Sequence, residues 1–262
     1  RGIYWAARIG GQYDLLLVLF VFDFVAFDHF VDNFNKKFPG LIKDYTSLYA
    51  IDHFIYRHKY MSKNYDAIWY GCNDEPQDID ELGMKILREF KENCRLPSLE
   101  IAKHVNVSYK TVINRIKDME KRNVILGYRI FIHSSEKLPF IVLFSFKNYS
   151  KETEKKLIAY LERVESVTQT VRLIGAWNLF IHVREEGNEK LQQLVIDLRD
   201  KFEIIGNYEI IPIFHDIAID MMPLSASTTR FSASRANRRF IFLTSMTMPP
   251  FTGMVPPQTP DP

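Results

Sequence analysis

The side chains best suited to chemistry lie together in residues 108–121. Lys110, Asn114, Lys117 and Lys121 recur at intervals of four, three and four residues, which places them on one face of a helix. A lysine ammonium binds phosphate as a point charge, and an asparagine amide can bond the edge of an adenine at two atoms. This face therefore suits a nucleic acid, although solvation alone also produces charged helix faces.

Three helices are predicted around this face. Asp78 and Glu81 have the spacing of a capping box at the start of the first helix. The predicted helices span residues 78–90, 99–105 and 109–122, and Asn106-Val107-Ser108 forms a tight turn between the last two. Helices joined by such a turn form a helix-turn-helix, here expected in a winged, three-helix domain.

The start of the last predicted helix is the part of a helix-turn-helix that reaches base edges in the major groove of double-stranded DNA. Asn114 is expected to read adenine and Lys110 to contact phosphate. Arg115 has two interpretations, because it could face DNA or pair with Asp118 or Glu120. The predicted DNA-binding residues are Ser108, Tyr109, Lys110, Thr111, Asn114, Arg115 and Lys117.

An internal repeat organises the rest of the chain. Residues 8–15, RIGGQYDL, are echoed by residues 172–179, RLIGAWNL, at an offset of 164. The pair Lys37-Phe38 keeps this offset to Lys201-Phe202, and Tyr45 meets Tyr208 after a slip of one residue. A chance match of eight residues would not stay aligned for so long, so the chain is expected to hold two copies of one module.

The second copy predicts the order βαββαβ of a ferredoxin-like sandwich in the α+β class, with helices on one face of an antiparallel sheet. Its expected elements are a strand at 140–146, a helix capped by Ser150, strands at 167–173 and 178–183, a helix at 188–202 and a strand at 208–219. The first copy keeps a strand at 13–20, a helix at 27–38 and a strand at 45–56. We expect this half-sheet to be unstable alone and prone to aggregation at its open edge.

Charge, cysteine and histidine spacing, and hydropathy limit the kinds of site and the cellular setting that the chain can have. The net charge of +2 does not by itself indicate a nucleic-acid binder, but residues 77–132 hold 11 basic and 8 acidic groups. Cys72 and Cys94 form no CxxC pair, and the seven histidines lack ligand spacing, so neither a metal nor a cofactor is expected. The apolar run at 15–27 is too short for a membrane span, and a reducing intracellular setting is expected.

The helix-turn-helix region resembles the Lrp/AsnC family of transcription regulators. The resemblance is carried by Ile101-Ala102, Asn106-Val107-Ser108, Thr111-Val112, Arg115-Ile116, Met119-Glu120 and the run 124–129, VILGYR. The βαββαβ module after it is similar to that family's effector-binding and oligomerisation domain, called RAM. The resemblance implies a cytoplasmic, nucleoid-associated regulator that is not an enzyme, binds promoter DNA, self-associates through RAM domains and senses an amino acid at their contacts.

The resulting domain plan has five parts. It places the C-terminal part of a truncated first RAM-like domain at 1–60, a linker at 61–77, the helix-turn-helix at 78–132, a RAM-like domain at 133–222 and a disordered tail at 223–262. The intact protein is expected to pair its two RAM copies within one chain, with a homo-oligomer as the alternative. Val142 and Phe144 are expected on the sheet face that a partner sheet covers.

The family resemblance also implies an effector site at the turn between the second and third strands of each module. The residues concerned are Gly11, Tyr13 and Asp14 in the first copy and Gly175, Trp177 and Asn178 in the second. The amide of Asn178 cannot form the ion pair with an ammonium that Asp14 could form. A hairpin turn with a packed Trp177 is the alternative for the second copy.

The sequence is also compatible with functions other than DNA binding. The ferredoxin-like fold also occurs in small-molecule-binding proteins, and the helix-turn-helix could be a protein-docking module without DNA affinity. An enzyme is not expected, because the sequence has no nucleophile elbow, P-loop or dinucleotide-binding glycine pattern.

Overall fold

The computed structural model describes residues 3–21, 23–56, 67–71, 79–128, 137–220 and 239–244. Its strands are β1 (Ile3–Ile9), β2 (Leu15–Val21), β3 (Thr46–Tyr56), β4 (Ala67–Gly71), β5 (Leu138–Phe146), β6 (Val167–Ile174), β7 (Leu179–Glu185), β8 (Ile205–Ile219) and β9 (Arg239–Thr244). Its helices are α1 (Phe24–Lys37), α2 (Glu81–Glu92), α3 (Ser98–Val105), α4 (Tyr109–Lys121), α5 (Lys151–Leu161) and α6 (Asn188–Lys201).

All the described strands join one antiparallel sheet. Their order is β4-β3-β6-β7-β5-β8-β1-β2-β9, and β9 also pairs with β3. The pairing of β9 with residues 46–50 of β3 closes eight strands into a ring, while β4 pairs with residues 52–56 of the same strand. Closure removes unpaired edges, through which open sheets aggregate, from the eight ring strands, and β4 remains as an outer edge strand.

Seven of the eight ring strands belong to two units, and β9 is the eighth. The N-terminal unit comprises β1, β2, α1 and β3, and the C-terminal unit comprises β5 to β8 with α5 and α6. The C-terminal unit has the strand order β8-β5-β7-β6 with both helices on one face, which is the expected ferredoxin-like sandwich. The two units meet edge to edge at two junctions, β1 with β8 and β3 with β6.

Two apolar layers line the sheet of the C-terminal unit. Val142 and Phe144 pack against the helices α5 and α6, whereas Ile141 and Leu143 face the interior of the ring. The prediction that Val142 and Phe144 await a partner sheet was therefore wrong. Because β5 is apolar on both faces, its sequence does not show which alternate residues face inward.

The interior of the ring is shared by both units. A small apolar cavity there is lined by Ile9, Leu16, Leu48, Ile141, Leu143, Phe180 and Ile211. The first three belong to the N-terminal unit and the last four to the C-terminal unit. Because both units contribute side chains to this interior, hydrophobic burial favours the closed ring.

Helices α2, α3 and α4 pack around their own core. Asp80 caps α2, its side chain accepting a hydrogen bond from the Gly83 amide at 2.9 Å. The predicted capping box was thus displaced, because Glu81 is the first helical residue, while Asp78 lies outside the described residues. Lys91 at the end of α2 forms an ion pair with Asp220 beside β8, at 2.8 Å. No described helix is long and apolar enough to cross a bilayer.

Three strands were not predicted from the sequence. β1 precedes the first predicted strand, β4 lies within the predicted linker at 61–77, and β9 lies within the predicted disordered tail at 223–262. Both predictions need correction at these residues, and the rest of the tail beyond Thr244 lies outside the described residues. The segments 67–71 and 239–244 are short and rich in aromatic and β-branched residues, which favour strands once long-range partners are present.

Candidate nucleic-acid interface

The turn between α3 and α4 is set by local hydrogen bonds. Asn106 adopts the left-handed conformation with φ of 56°, and the amides of Asn106 and Val107 both donate to the carbonyl of Ala102. Ser108 then caps α4, its hydroxyl accepting from the Thr111 amide at 3.1 Å and lying 2.8 Å from the Thr111 hydroxyl. These contacts fix the change of direction that defines a helix-turn-helix.

One face of α4 is buried and orients the helix. Val112 is fully buried and Met119 is nearly so. They pack with side chains of α2 and α3, chiefly Ile86, Leu87, Ile101 and Ala102. The opposite face must therefore point away from the three-helix core.

That opposite face carries the predicted DNA-binding side chains. Tyr109 is 57% exposed, and Lys110, Asn114 and Lys117 are exposed. Within the described part of the chain, no residue forms a hydrogen bond or ion pair with the side chains of Lys110, Asn114 or Lys117. The partial positive charge of the α4 N-terminus lies at the same end as Lys110 and attracts anions. Lys110, Asn114 and Lys117 can thus bond phosphates or base edges without breaking contacts that the described residues show.

Arg115 has a different partner from either predicted one. Its guanidinium donates to the carboxylate of Asp80 at 2.7 Å and so joins α4 to the start of α2. The pairing of Arg115 with Asp118 or Glu120 was wrong. Asp80 lies 35 residues from Arg115, so no helical spacing could have indicated the contact.

The C-terminal end of α4 is held by its own contacts. Arg122 donates to Asp118 at 3.1 Å, and the Tyr128 hydroxyl donates to Glu120 at 2.8 Å. Burial and the hydrogen bond to Glu120 raise the pKa of Tyr128 to about 12. The acidic residues of α4 are thereby engaged at this end of the helix, away from Lys110 and Asn114.

The two predicted effector turns lie at the junctions between the units. In the first turn Gly11 has φ of +81°, Asp14 is half-buried, and Tyr13 is buried with its hydroxyl 3.5 Å from that of Thr46. Gly10 donates to the carbonyl of Pro212 in β8, at 2.9 Å. The first turn thus rests on the last strand of the other unit.

The second turn, in the C-terminal unit, likewise contacts a strand of the other unit. Gly175, with φ of +136°, lies so close to Leu48 in β3 that an added Cβ would come within 2.9 Å of its side chain. Trp177 packs against the interior of the ring, and the side-chain oxygen of Asn178 accepts from the Phe146 amide at 2.7 Å. Asn178 therefore already has a structural partner.

An ion cluster at the junction of β3 and β6 was missed. Arg172 donates to Asp52 of the N-terminal unit and to Glu154 of the C-terminal unit, the latter at 2.9 Å. Tyr149 also donates to Glu154 at 2.9 Å. Burial lowers the pKa of Arg172, but the hydrogen bonds to Glu154 and Asp52 outweigh this and raise it overall. Sequence offers no signal for a pair separated by 120 residues.

Known DNA-binding proteins have sequences similar to this helix-turn-helix region. The model of a family described as winged helix-turn-helix DNA-binding matches residues 79–125. The regulatory protein AsnC of Haemophilus influenzae is 31% identical over 113 residues, which cover 40% of this chain and 71% of that protein. The leucine-responsive regulatory protein of Rhizobium meliloti is 26% identical over 123 residues, covering 46% of this chain and 79% of that protein.

A solved structure shares the fold of about half of this chain. It is a transcriptional regulator from Neisseria meningitidis in complex with L-Met, with a TM-score of 0.51 and 17% identity, covering 56% of this chain and 97% of its own. At that identity the likeness concerns the fold alone. The match to AsnC, together with the helix-turn-helix model, shows that the chain belongs to the Lrp/AsnC family of DNA-binding transcription regulators.

Proposed function

We propose that this chain binds promoter DNA by inserting the N-terminal half of α4 into the major groove. Asn114 would bond a base edge, and Lys110 and Lys117 would contact phosphates on either side of the groove. The observation that supports the proposal is the exposed set of Lys110, Asn114 and Lys117, whose side chains have no partner among the described residues and which begin directly after the turn.

The dimensions of the helix support this assignment. α4 has 13 residues and is about 20 Å long. A helix with its side chains is about 10–12 Å in diameter, which fits the major groove, about 12 Å wide. Ser108 and Thr111 bond each other at 2.8 Å and could still accept or donate to a phosphate at the helix N-terminus. Arg115 is expected to contribute less, because DNA would have to compete with Asp80 for its guanidinium.

We further propose that the two units take the place of two RAM domains of a dimer. Support comes from the shared interior of the ring and from the two edge junctions, each of which pairs a strand of one unit with a strand of the other. Higher assembly would then join such rings, and the protein would act on the nucleoid in the cytoplasm.

An amino-acid effector is a second part of this proposal. The Neisseria regulator is a complex with L-Met, and the first turn of this chain offers Asp14 as a carboxylate for an ammonium. Gly11 and Tyr13 would shape that site. The second turn is a weaker candidate, because Asn178 already accepts from the Phe146 amide. Calorimetric titration of L-amino acids into the wild-type chain and D14N tests this assignment, and equal binding to both would refute it.

The DNA-binding proposal is tested by fluorescence anisotropy of the full chain on a duplex that the wild-type chain selects from a random pool. N114A should lose about 1 to 3 kcal/mol of discrimination at one base pair while keeping the salt dependence. K110A and K117A should weaken binding to every duplex and each reduce the log-log salt slope by about 0.9.

The matched control is K155A, since Lys155 is an exposed lysine on α5 in the C-terminal unit. It should leave both affinity and salt slope unchanged. If N114A, K110A and K117A bind as K155A does, α4 does not contact DNA. A wild-type chain that selects no duplex would instead favour the protein-docking alternative.

A further inference from the structure

Strand β9 has a defined place in the ring. It lies between β2 and β3 and is antiparallel to both. In the C-terminal unit the same place, between β7 and β8, is occupied by β5, also antiparallel to both neighbours. β9 therefore stands in the N-terminal unit where β5 stands in the C-terminal unit.

The register towards β2 supports this equivalence. Thr244 of β9 pairs with Leu16 of β2. The repeat offset of 164 makes Phe180 the counterpart of Leu16, and Phe180 pairs with Leu143 of β5. From this side, Thr244 occupies the position of Leu143.

The register towards β3 gives the same answer independently. Thr244 also pairs with Thr46 of β3. The slipped offset of 163 makes Glu209 the counterpart of Thr46, and Glu209 pairs with Leu143 as well. The pairing with β2 and the pairing with β3 thus place β9 in the same register relative to β5. Two unrelated strand contacts would not be expected to agree in this way.

We propose that β2 and β3 form a strand-acceptor slot and that residues 239–244 of the same chain are its donor strand. Within the described residues, no other strand lies between β2 and β3. An empty slot would leave two rows of backbone donors and acceptors without partners and would open the ring. The segment RFIFLT has the aromatic and β-branched residues that strands favour.

The donor can belong to the same chain because the connection is long enough. Asp220, beside β1, and Arg239, at the start of β9, are separated by 18 residues. These can span up to about 60 Å, whereas β8 and β9 are three strand spacings apart, roughly 14 Å. A tethered donor has an effective concentration in the millimolar range, so it outcompetes the same strand of a second copy at micromolar protein.

Hydrogen exchange of the full chain, followed by mass spectrometry, tests the proposal. Residues 16–21 and 46–50 should exchange slowly in the wild-type chain, like residues 138–146 and unlike the outer edge strand 67–71. I241P should accelerate exchange at 16–21 and 46–50 by at least about tenfold, because proline cannot donate to a sheet and disrupts the strand. The control I241V keeps a β-branched residue and should exchange like the wild type.

The wild-type pattern alone can overturn the proposal, even if I241P fails to fold. Rapid exchange at residues 16–21 in a chain that protects 138–146 would mean that the slot is empty. Protection that appears only at concentrations where light scattering detects dimers would mean that a second copy donates the strand. The outcome does not depend on DNA binding, so failure here leaves the proposed function standing.

Discussion

Arg172 is expected to be the most sensitive charged residue of the ring. Its guanidinium bridges two carboxylates, Asp52 and Glu154, whose side chains are 15% and 5% exposed. R172M would keep much of the packing volume but leave both carboxylates without their cation. Breaking a buried ion pair by removing one partner typically costs about 3 to 5 kcal/mol, because a charge stays buried without compensation. Because Asp52 belongs to the N-terminal unit and Glu154 to the C-terminal unit, R172M should weaken the contact between the two units.

Urea denaturation of the full chain at pH 7 measures this effect, with R163M as the control. Arg163 is exposed, and its replacement should change the free energy of unfolding by less than about 0.5 kcal/mol. R172M should lose roughly 3 to 5 kcal/mol, which corresponds to roughly 6 to 20 °C in the melting temperature for a chain of this size. A loss below about 1 kcal/mol, or one equal to that of R163M, would refute the cluster.

A double-mutant cycle locates the cost. D52N and R172M should couple by about 0.5 to 3 kcal/mol if their side chains meet across the junction of β3 and β6. Additive effects within about 0.5 kcal/mol would show that the N-terminal unit does not contribute to the cluster.

Two further predictions concern single hydrogen bonds. N178A should lose about 1 to 3 kcal/mol of stability, because the part-buried Phe146 amide loses its acceptor. N178D keeps a side-chain oxygen and should retain this stability, so chemical denaturation distinguishes the two variants. A fully stable N178A would show that Asn178 is not needed for the fold. The pKa of Tyr128 is raised to about 12, above the value of about 10 in an unfolded chain, so its stabilisation is present below pH 10 and lost as the pH rises towards 12. Unfolding midpoints at pH 8 and pH 11 should therefore fall more for the wild-type chain than for Y128F, and an equal fall would contradict the assignment.

The helix-turn-helix was largely predictable because its signals are local. The turn Asn106-Val107-Ser108 was predicted from the sequence, and in the structure Ser108 caps α4 there. The spacing of the lysines and Asn114 indicated which face of α4 is exposed. Ser150 likewise caps α5 as expected. Such signals extend over one or two helical turns, so they can be recognised without knowing the rest of the fold.

The features that were missed depend on contacts distant in sequence. Arg115 finds Asp80 and Arg172 finds Asp52 only after the helices and strands have assembled. β9 has no periodic signal of its own, and its residues pair with residues at least 190 positions away in the chain. A short apolar segment can form a strand or remain irregular, and the available neighbours decide between these states.

The closed ring has a consequence for how its junctions can change over time. In a symmetric dimer one substitution alters both copies of an interface, so its energetic cost counts twice. Here the junctions are encoded separately: Arg172 forms an ion pair with Asp52 across one, while the counterpart residues Arg8 and His215 are neighbours in strand register across the other. Each junction can gain or lose an ion pair alone. One junction can therefore keep the ring closed while substitutions at the other junction change which ligand or partner it binds.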